Sequence, residues 1–289
     1  MIGSYPPLAP PGRHNPARMS QSPSGSPYLL AGRGTEVDRL TNQAQAWEQA
    51  GRAVLAEIPA EKGMRAVDIG CGPLGWLRIL SEWTGPSGHV IGTDVEEKLA
   101  AAAAALAEDE ELANVSVVID DLFRSQLEAH SFDVVHARFT LAPLGRLREQ
   151  LDAFTRMVRP GGWIVMEEPD SSSWRLNPTA PATDRLIELI VRAFKANGGD
   201  FDIGRKLPSL LRSIGVKPQI GAHVLSLPSG DPYLRMPLQF LTSLEPRLLE
   251  LVSETDLQNL RRSVENELAD PARWGTSFML IQAWGRAPG

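Results

Sequence analysis

Val37, Leu40, Ala44, Trp47, Val54 and Leu55 recur at roughly helical spacing, which predicts one or two amphipathic helices over residues 35–58. Pro59 and Gly63 punctuate that run. From Met64 the pattern changes to short apolar runs that alternate with helical ones. They read as strand "MRAVDIG", helix "PLGWLRILSEW", turn "GPSG", strand "HVIGTD", helix "EEKLAAAAAALAED" and strand "NVSVVIDD". Strand "SFDVVHARF" follows, then a helix with Leu147, Leu151, Phe154 and Val158 on one stripe, the turn "RPGG" and strand "WIVMEEP". Strands that alternate with helices imply an α/β fold around a parallel sheet.

Beyond Pro169 the rhythm breaks. A loop leads into a helix over about residues 182–196 and a second over 206–213, then strand "AHVLSLP". A mostly helical stretch over 232–268, interrupted by Pro237 and Pro246, precedes a last strand "SFMLIQAWG". The expected organisation is a Pro-, Gly- and Ser-rich solvated tail over 1–27, a helical lid over 28–62 and one domain over 63–289. Cap segments are expected at about 171–212 and 231–273.

Composition narrows the function classes. At 289 residues, 43% of them apolar, the chain can bury a full core. A net charge of −6 and no Lys/Arg run argue against nucleic acid as a partner. The most apolar stretch, residues 99–107, is too short to span a membrane, so no membrane partner is expected. The single cysteine, Cys71, excludes an internal disulfide and a Cys-rich metal site, and the expectation is a reducing cytoplasm.

The chemistry centres on "AVDIGCGPLGWL", where Gly70, Gly72 and Gly75 form G-x-G-x-x-G at a strand-to-helix turn. Such a turn lets a ligand lie against the main chain at a helix N-terminus. A carboxylate at Asp68 would repel a pyrophosphate there by about 3–4 kcal/mol. It favours a cationic ligand such as S-adenosylmethionine, although Asp68 also fits a carboxylate that orders the turn through backbone amides. Asp94, ending the next strand with Val95 beyond it, can accept from ribose hydroxyls. Asp120 and Asp121, before Leu122, can accept from an adenine amine, or equally be a solvated strand end.

The succession "VDIGCGPLG", "VIGTDV", "VVIDDL", "FDVVHARF" and "VRPGGWIVMEEPD" resembles the class I S-adenosylmethionine-dependent methyltransferases over residues 64–170. The closing "SFMLIQAWGRAP" and the helical stretch before it are similar to bacterial small-molecule methyltransferases of the quinone-biosynthesis type. The resemblance implies a Rossmann-like seven-stranded sheet with its last strand antiparallel and helical cap insertions, and S-adenosylmethionine as cofactor. It implies that Gly70, Cys71 and Gly72 contact the methionine part, Asp94 the ribose, and Asp121 with Leu122 the adenine. Ala137 and Arg138 would lie beside the reactive methyl, and Asp68 would orient the ammonium. Glu36, Arg39, Leu40 and Gln43, with Tyr28 before them, resemble the family's lid over the cofactor.

Candidate catalytic residues are His136, as a base for a phenol or enol, and Glu168, after the fifth strand. His136 fits a strand-end histidine bonded to a carbonyl equally well. Asp170, Trp174 and Tyr233 are expected on the acceptor side, and Phe194, Phe201, Met236, Phe240 and Trp274 belong to the cap core or the acceptor pocket. "HARF" stands where a base-amine methylase of the family would carry N-P-P-Y and where a metal-dependent type would carry an acidic ligand. The expected function is therefore metal-independent methylation of a small metabolite, on oxygen first, with carbon or nitrogen and a homodimer left open. The competing readings are an NAD(P)-dependent oxidoreductase, for which no Tyr-x-x-x-Lys set is present, and a non-catalytic binding protein.

Overall fold

The computed structural model describes residues 35–73 and 75–289, so Tyr28 and the tail over 1–27 lie outside the described residues. The side chain of Glu36 lies outside them too. Helix α1 (Thr35–Ala56) is one continuous element that buries Ala44, Trp47, Ala50, Val54 and Leu55. Then come β1 (Arg65–Ile69), α2 (Leu77–Thr84), β2 (His89–Asp94), α3 (Glu97–Asp109), β3 (Val115–Ile119) and β4 (Phe132–Arg138). The chain continues with α4 (Leu141–Leu144), α5 (Leu147–Met157), β5 (Val158–Asp170), β6 (Arg175–Asn177), α6 (Pro181–Ala196) and α7 (Leu207–Ser213). It ends with β7 (Gln219–His223), β8 (Ser226–Leu227), α8 (Met236–Ser243), α9 (Glu245–Leu248), α10 (Glu254–Leu268), β9 (Trp274–Thr276) and β10 (Met279–Arg286).

Seven strands form one sheet in the order β3-β2-β1-β4-β5-β10-β7, with β10 antiparallel to both of its neighbours. This is the expected sheet with its antiparallel last strand. The parallel strands β1, β2 and β4 end at one edge, where β1 pairs Asp68 with His136 and Ile69 with Ala137. Ligands of such sheets bind beyond the carboxyl ends of the strands, so register fixes the depth of the site.

Four local expectations change. The helix expected from Pro73 begins only at Leu77, because Gly72 and Gly75 hold positive φ of 56° and 43°, which a right-handed helix cannot contain. The "RPGG" turn is absorbed into β5. Phe132 pairs with Val158 and Val134 with Trp163, so the extra residues form a bulge inside the strand. The strand expected over 222–228 is split. β7 stays in the large sheet, while β8 joins β6 and β9 in a separate three-stranded sheet, drawn there by Leu225 and Ser277, which exchange hydrogen bonds. Strand β3 stops at Ile119, since Asp121 accepts from the Phe123 amide and starts a 3-10 turn over Leu122–Arg124.

The cap is not a separate layer. Phe278, fully buried just before β10, meets Trp47 of α1, Phe139, Trp174, Phe201 and Tyr233 with ring centroids 5.5–6.3 Å apart. Edge-to-face aromatic pairs contribute beyond the area they bury. One ring therefore ties α1, the sheet and both cap segments together. Phe278→Ala should lower the free energy of unfolding by about 3–5 kcal/mol, read from a denaturant midpoint. A loss of under about 1 kcal/mol would mean that the cap and sheet do not share this core.

Candidate functional site

The floor of the site is the turn between β1 and α2. Gly70, Gly72 and Gly75 all have positive φ, at 65°, 56° and 43°. A Cβ on Gly75 would clash with Asp68 Oδ2 and with the Cys71 carbonyl oxygen. That close approach lets Oδ2 accept from the Trp76 backbone N–H at 2.7 Å. Asp94 closes the turn from the other side, accepting from the Gly72 amide at 3.0 Å and the Glu96 amide at 2.9 Å. Burial raises the Asp94 carboxyl above its usual range, and the two amides oppose this.

Above this floor lies a cleft of about 970 Å³, open to solvent at its mouth. Eleven of the thirteen residues expected at the cofactor line it: Gln43, Asp68, Gly70, Cys71, Gly72, Asp94, Val95, Asp120, Asp121, Leu122 and Arg138. Leu40 of α1 lines it as well, with Ile69, Thr93, Phe123, Phe139 and Thr140, which sequence reasoning missed. Most of these are chain neighbours of predicted residues, and that adjacency was the available signal. Burial drives the Cys71 thiol well above its ordinary pKa, with Asp68 and Asp94 adding to the shift, so it fills space and does not act as a nucleophile. Arg138 is the cation of the wall. Its Nη1 lies 3.8 Å from Glu167 Oε2 and has no hydrogen-bond partner.

A second, apolar pocket of about 360 Å³ adjoins the first and shares Leu40, Gln43 and Phe139 with it. Phe194, Phe201, Phe240 and Phe278 line it, together with Pro143 and Pro169. Arg39 is its cationic member, lying over the Phe240 ring at 5.2 Å and donating to Gln43 Oε1 at 2.9 Å.

Six expected positions point elsewhere. His136 is fully buried beneath the turn, its Nδ1 2.7 Å from Asp68 Oδ1 and its Nε2 3.3 Å from Glu167 Oε2. Trp76 stacks on its ring at 3.7 Å, so it cannot reach an acceptor. Burial pushes the imidazole pKa down, but the charges and hydrogen bonds of Asp68 and Glu167 reverse this and raise it. Glu168 is fully buried and accepts from the Thr140, Leu141 and Ala142 amides at 2.8, 2.7 and 3.1 Å, satisfying the N-terminal N–H groups of α4. Burial pushes its carboxyl up to about 8 against these three donors.

Asp170 bonds Arg205 Nε at 2.6 Å and the Ser172 amide at 2.9 Å, away from both pockets. Trp174 is held in the core between Phe201, Phe240 and Phe278. The Tyr233 hydroxyl accepts from Trp47 Nε1 at 2.8 Å, which turns it into the core. Ala137 is buried among core residues, because strand alternation turns it from the face that carries His136 and Arg138. Of the other cap residues, Met236 is buried and Trp274 is exposed on β9.

Comparison with known proteins gives a consistent family. A family model described as a methyltransferase domain matches residues 60–208. The demethylmenaquinone methyltransferase of Staphylococcus saprophyticus is 29% identical over 159 residues, which cover 53% of this chain and 64% of that relative. The matched part thus spans less than two thirds of that relative's length. The structure is similar to a SAM dependent methyltransferase from Aquifex aeolicus, with TM-score 0.51 and 18% identity, over 68% of this chain and 93% of that one. It is also similar to phosphoethanolamine N-methyltransferase 2 of Haemonchus contortus, solved with S-adenosylhomocysteine, with TM-score 0.51 and 16% identity, over 84% and 53%.

The capping role of Glu168 has a direct consequence. Glu168→Ala strands three buried amides and should cost about 1–3 kcal/mol of stability, seen as a lowered unfolding midpoint. An unchanged midpoint would return Glu168 to the groups held for chemistry.

Proposed function

This chain belongs to the family defined by the methyltransferase domain and has the class I S-adenosylmethionine-dependent fold, and on that premise we propose that it methylates a small apolar or aromatic metabolite. The observation that carries the reading is that the two cavities adjoin and share part of their lining. The cleft over the glycine turn, walled by the strand-end acids, and a phenylalanine-lined pocket share Leu40, Gln43 and Phe139, so a methyl donor and an apolar acceptor would lie next to each other there.

The residues of the cleft fit S-adenosylmethionine. Arg138 Nη1, buried without a hydrogen-bond partner, suits a ligand carboxylate, and the Asp68 carboxylate suits an ammonium. Asp94 and Val95 would flank the ribose, Asp120, Asp121 and Leu122 the adenine, and Gly70, Cys71 and Gly72 the methionine chain, with Gln43 closing from α1. When bound, the cofactor supplies an electrophilic methyl group on a sulfonium. Asp68 also disfavours a pyrophosphate, which supports this reading over the NAD(P)-dependent alternative.

The chain's own part is to orient the acceptor and exclude water. With His136 and Glu168 turned into the protein, the charged side chain that lines the acceptor pocket among the described residues is Arg39. A guanidinium there stabilises a phenolate or enolate oxygen, so O-methylation proceeds from an acceptor that is already ionised and needs no base. The transfer is taken as metal-independent because "HARF" stands at the end of β4, where a metal-dependent type would carry an acidic ligand. The acceptor would enter by movement of those parts of the cap segments 171–212 and 231–273 that lie outside the Phe278 ring cluster.

Calorimetry should show binding of S-adenosylhomocysteine and none of NAD. Asp94→Ala should weaken the former by about tenfold or more, the equivalent of about 1.5–3 kcal/mol for charge-assisted bonds. NAD bound at equal strength would overturn the reading. In a metabolite extract with labelled methyl donor, label should reach an apolar product equally with and without chelator, and its attachment to oxygen is checked by fragmentation. Hydrogen exchange in the cap segments should slow only when the cofactor product and an acceptor are both present. Equal protection in the empty protein would exclude a moving cap.

A further inference from the structure

Beneath the glycine turn lies a chain of charged groups, Asp68 on β1, His136 on β4, Glu167 on β5 and Arg138 at the end of β4, whose inner members have no part in the proposed reaction. Its two ends, Asp68 and Arg138, both line the cleft, whereas His136 and Glu167 are fully buried between them. Each ring nitrogen of His136 faces a carboxylate oxygen, Nδ1 that of Asp68 and Nε2 that of Glu167. A neutral imidazole has one N–H and one lone pair, and would set that lone pair against an anion. An imidazolium donates to both.

The surroundings agree. Trp76 stacks on the ring and donates its Nε1–H to Glu167 Oε2 at 2.7 Å, while Gln282 of β10 donates to Glu167 Oε1. No further acceptor for the ring is needed. With a cationic His136, the two carboxylates are balanced by two cations. With a neutral ring, one buried negative charge is left uncompensated, which burial penalises. Glu168, beside Glu167, is occupied by three amides, and Asp94 and Cys71, on the Asp68 side, face the turn and not the ring.

We propose that His136 is a fixed imidazolium and a positioning residue, locking Asp68 and Glu167 and, through Glu167, Arg138, so that one anion and one cation face the cleft at a set separation. That pair matches a zwitterionic amino-acid group. Only the identity of the ligand rests on the function proposed above. The cation holds until the pH passes its raised pKa. Its stabilising contribution is thus full below the unfolded imidazole value, about 6.5, and is lost on the alkaline side.

Nitrogen NMR of the wild-type protein labelled at its five histidines tests the protonation state without any ligand. One ring should keep both nitrogens protonated at about pH 8, above the ordinary imidazole pKa. A set in which every ring is a neutral tautomer at that pH would overturn the proposal, even if His136→Gln fails to fold.

Calorimetry with S-adenosylhomocysteine gives the functional arm. His136→Gln should bind on the order of tenfold more weakly at neutral pH, the loss of about one charge-assisted hydrogen bond. It should also lack the alkaline loss of affinity that the wild type shows beyond the titration of the ligand's own ammonium, which is common to both. Equal pH profiles in His136→Gln and wild type would mean that His136 only fills space. Failure of the wild type to bind at all would refute the cofactor reading, while the NMR result would still decide the state of His136.

Discussion

The Asp68 carboxylate occupies a space that a side chain at residue 75 would have filled, and the site is built outward from that fact. One of its oxygens holds the first amide before α2, and the other holds His136. The glycine at 75 is thus a steric condition for a hydrogen bond as well as a source of backbone freedom. With the turn held in this way, residues 70–72 form the floor of a cleft.

The same device recurs along the carboxyl edge of the sheet. Asp94 ties the end of β2 to Gly72, Asp121 caps the turn after β3, and Glu168 caps α4 after β4. At each of these transitions an acid satisfies amides that would otherwise be left without partners, with Glu168 reaching across from β5. Where such an acid is also reached by the cleft, as at Asp94 and Asp121, its remaining lone pairs are available to a ligand. Where it is sealed, as at Glu168, the role ends with the fold. Order in the loops and affinity for a ligand come from the same side chains.

The cap owes its position to aromatic packing. Phe278 enters from the segment before β10 and meets rings from α1, from the loop after β4 and from both cap segments. This places Phe194, Phe201 and Phe240 beside the mouth of the polar cleft and leaves a small apolar space between them. Arg39 sits at the border of the two spaces, where its guanidinium stacks on Phe240 while it bonds Gln43. The two cavities differ in polarity because one is lined by strand ends with bonded acids and the other by the rings that close the core.

The sequence by itself determined the element order, the sheet with its antiparallel last strand, the glycine turn and the acids at the ends of β1, β2 and β3. These are properties of short segments: apolar period, the positive φ that glycine permits, and the place where a strand stops. Eleven of the thirteen residues it assigned to a cofactor line one cleft. What it did not carry was direction. Strand-end position puts His136, Glu168 and Asp170 at the depth of the site, but their partners come from remote parts of the chain: the Asp68 carboxylate, the amides of α4 and Arg205. Trp174 and Tyr233 are expected on the acceptor side from their place in the cap segments, but Phe278 and Trp47 claim them for the core. A polar or aromatic group faces a ligand only when no other part of the chain satisfies it first, and that competition is settled when the distant elements pack together.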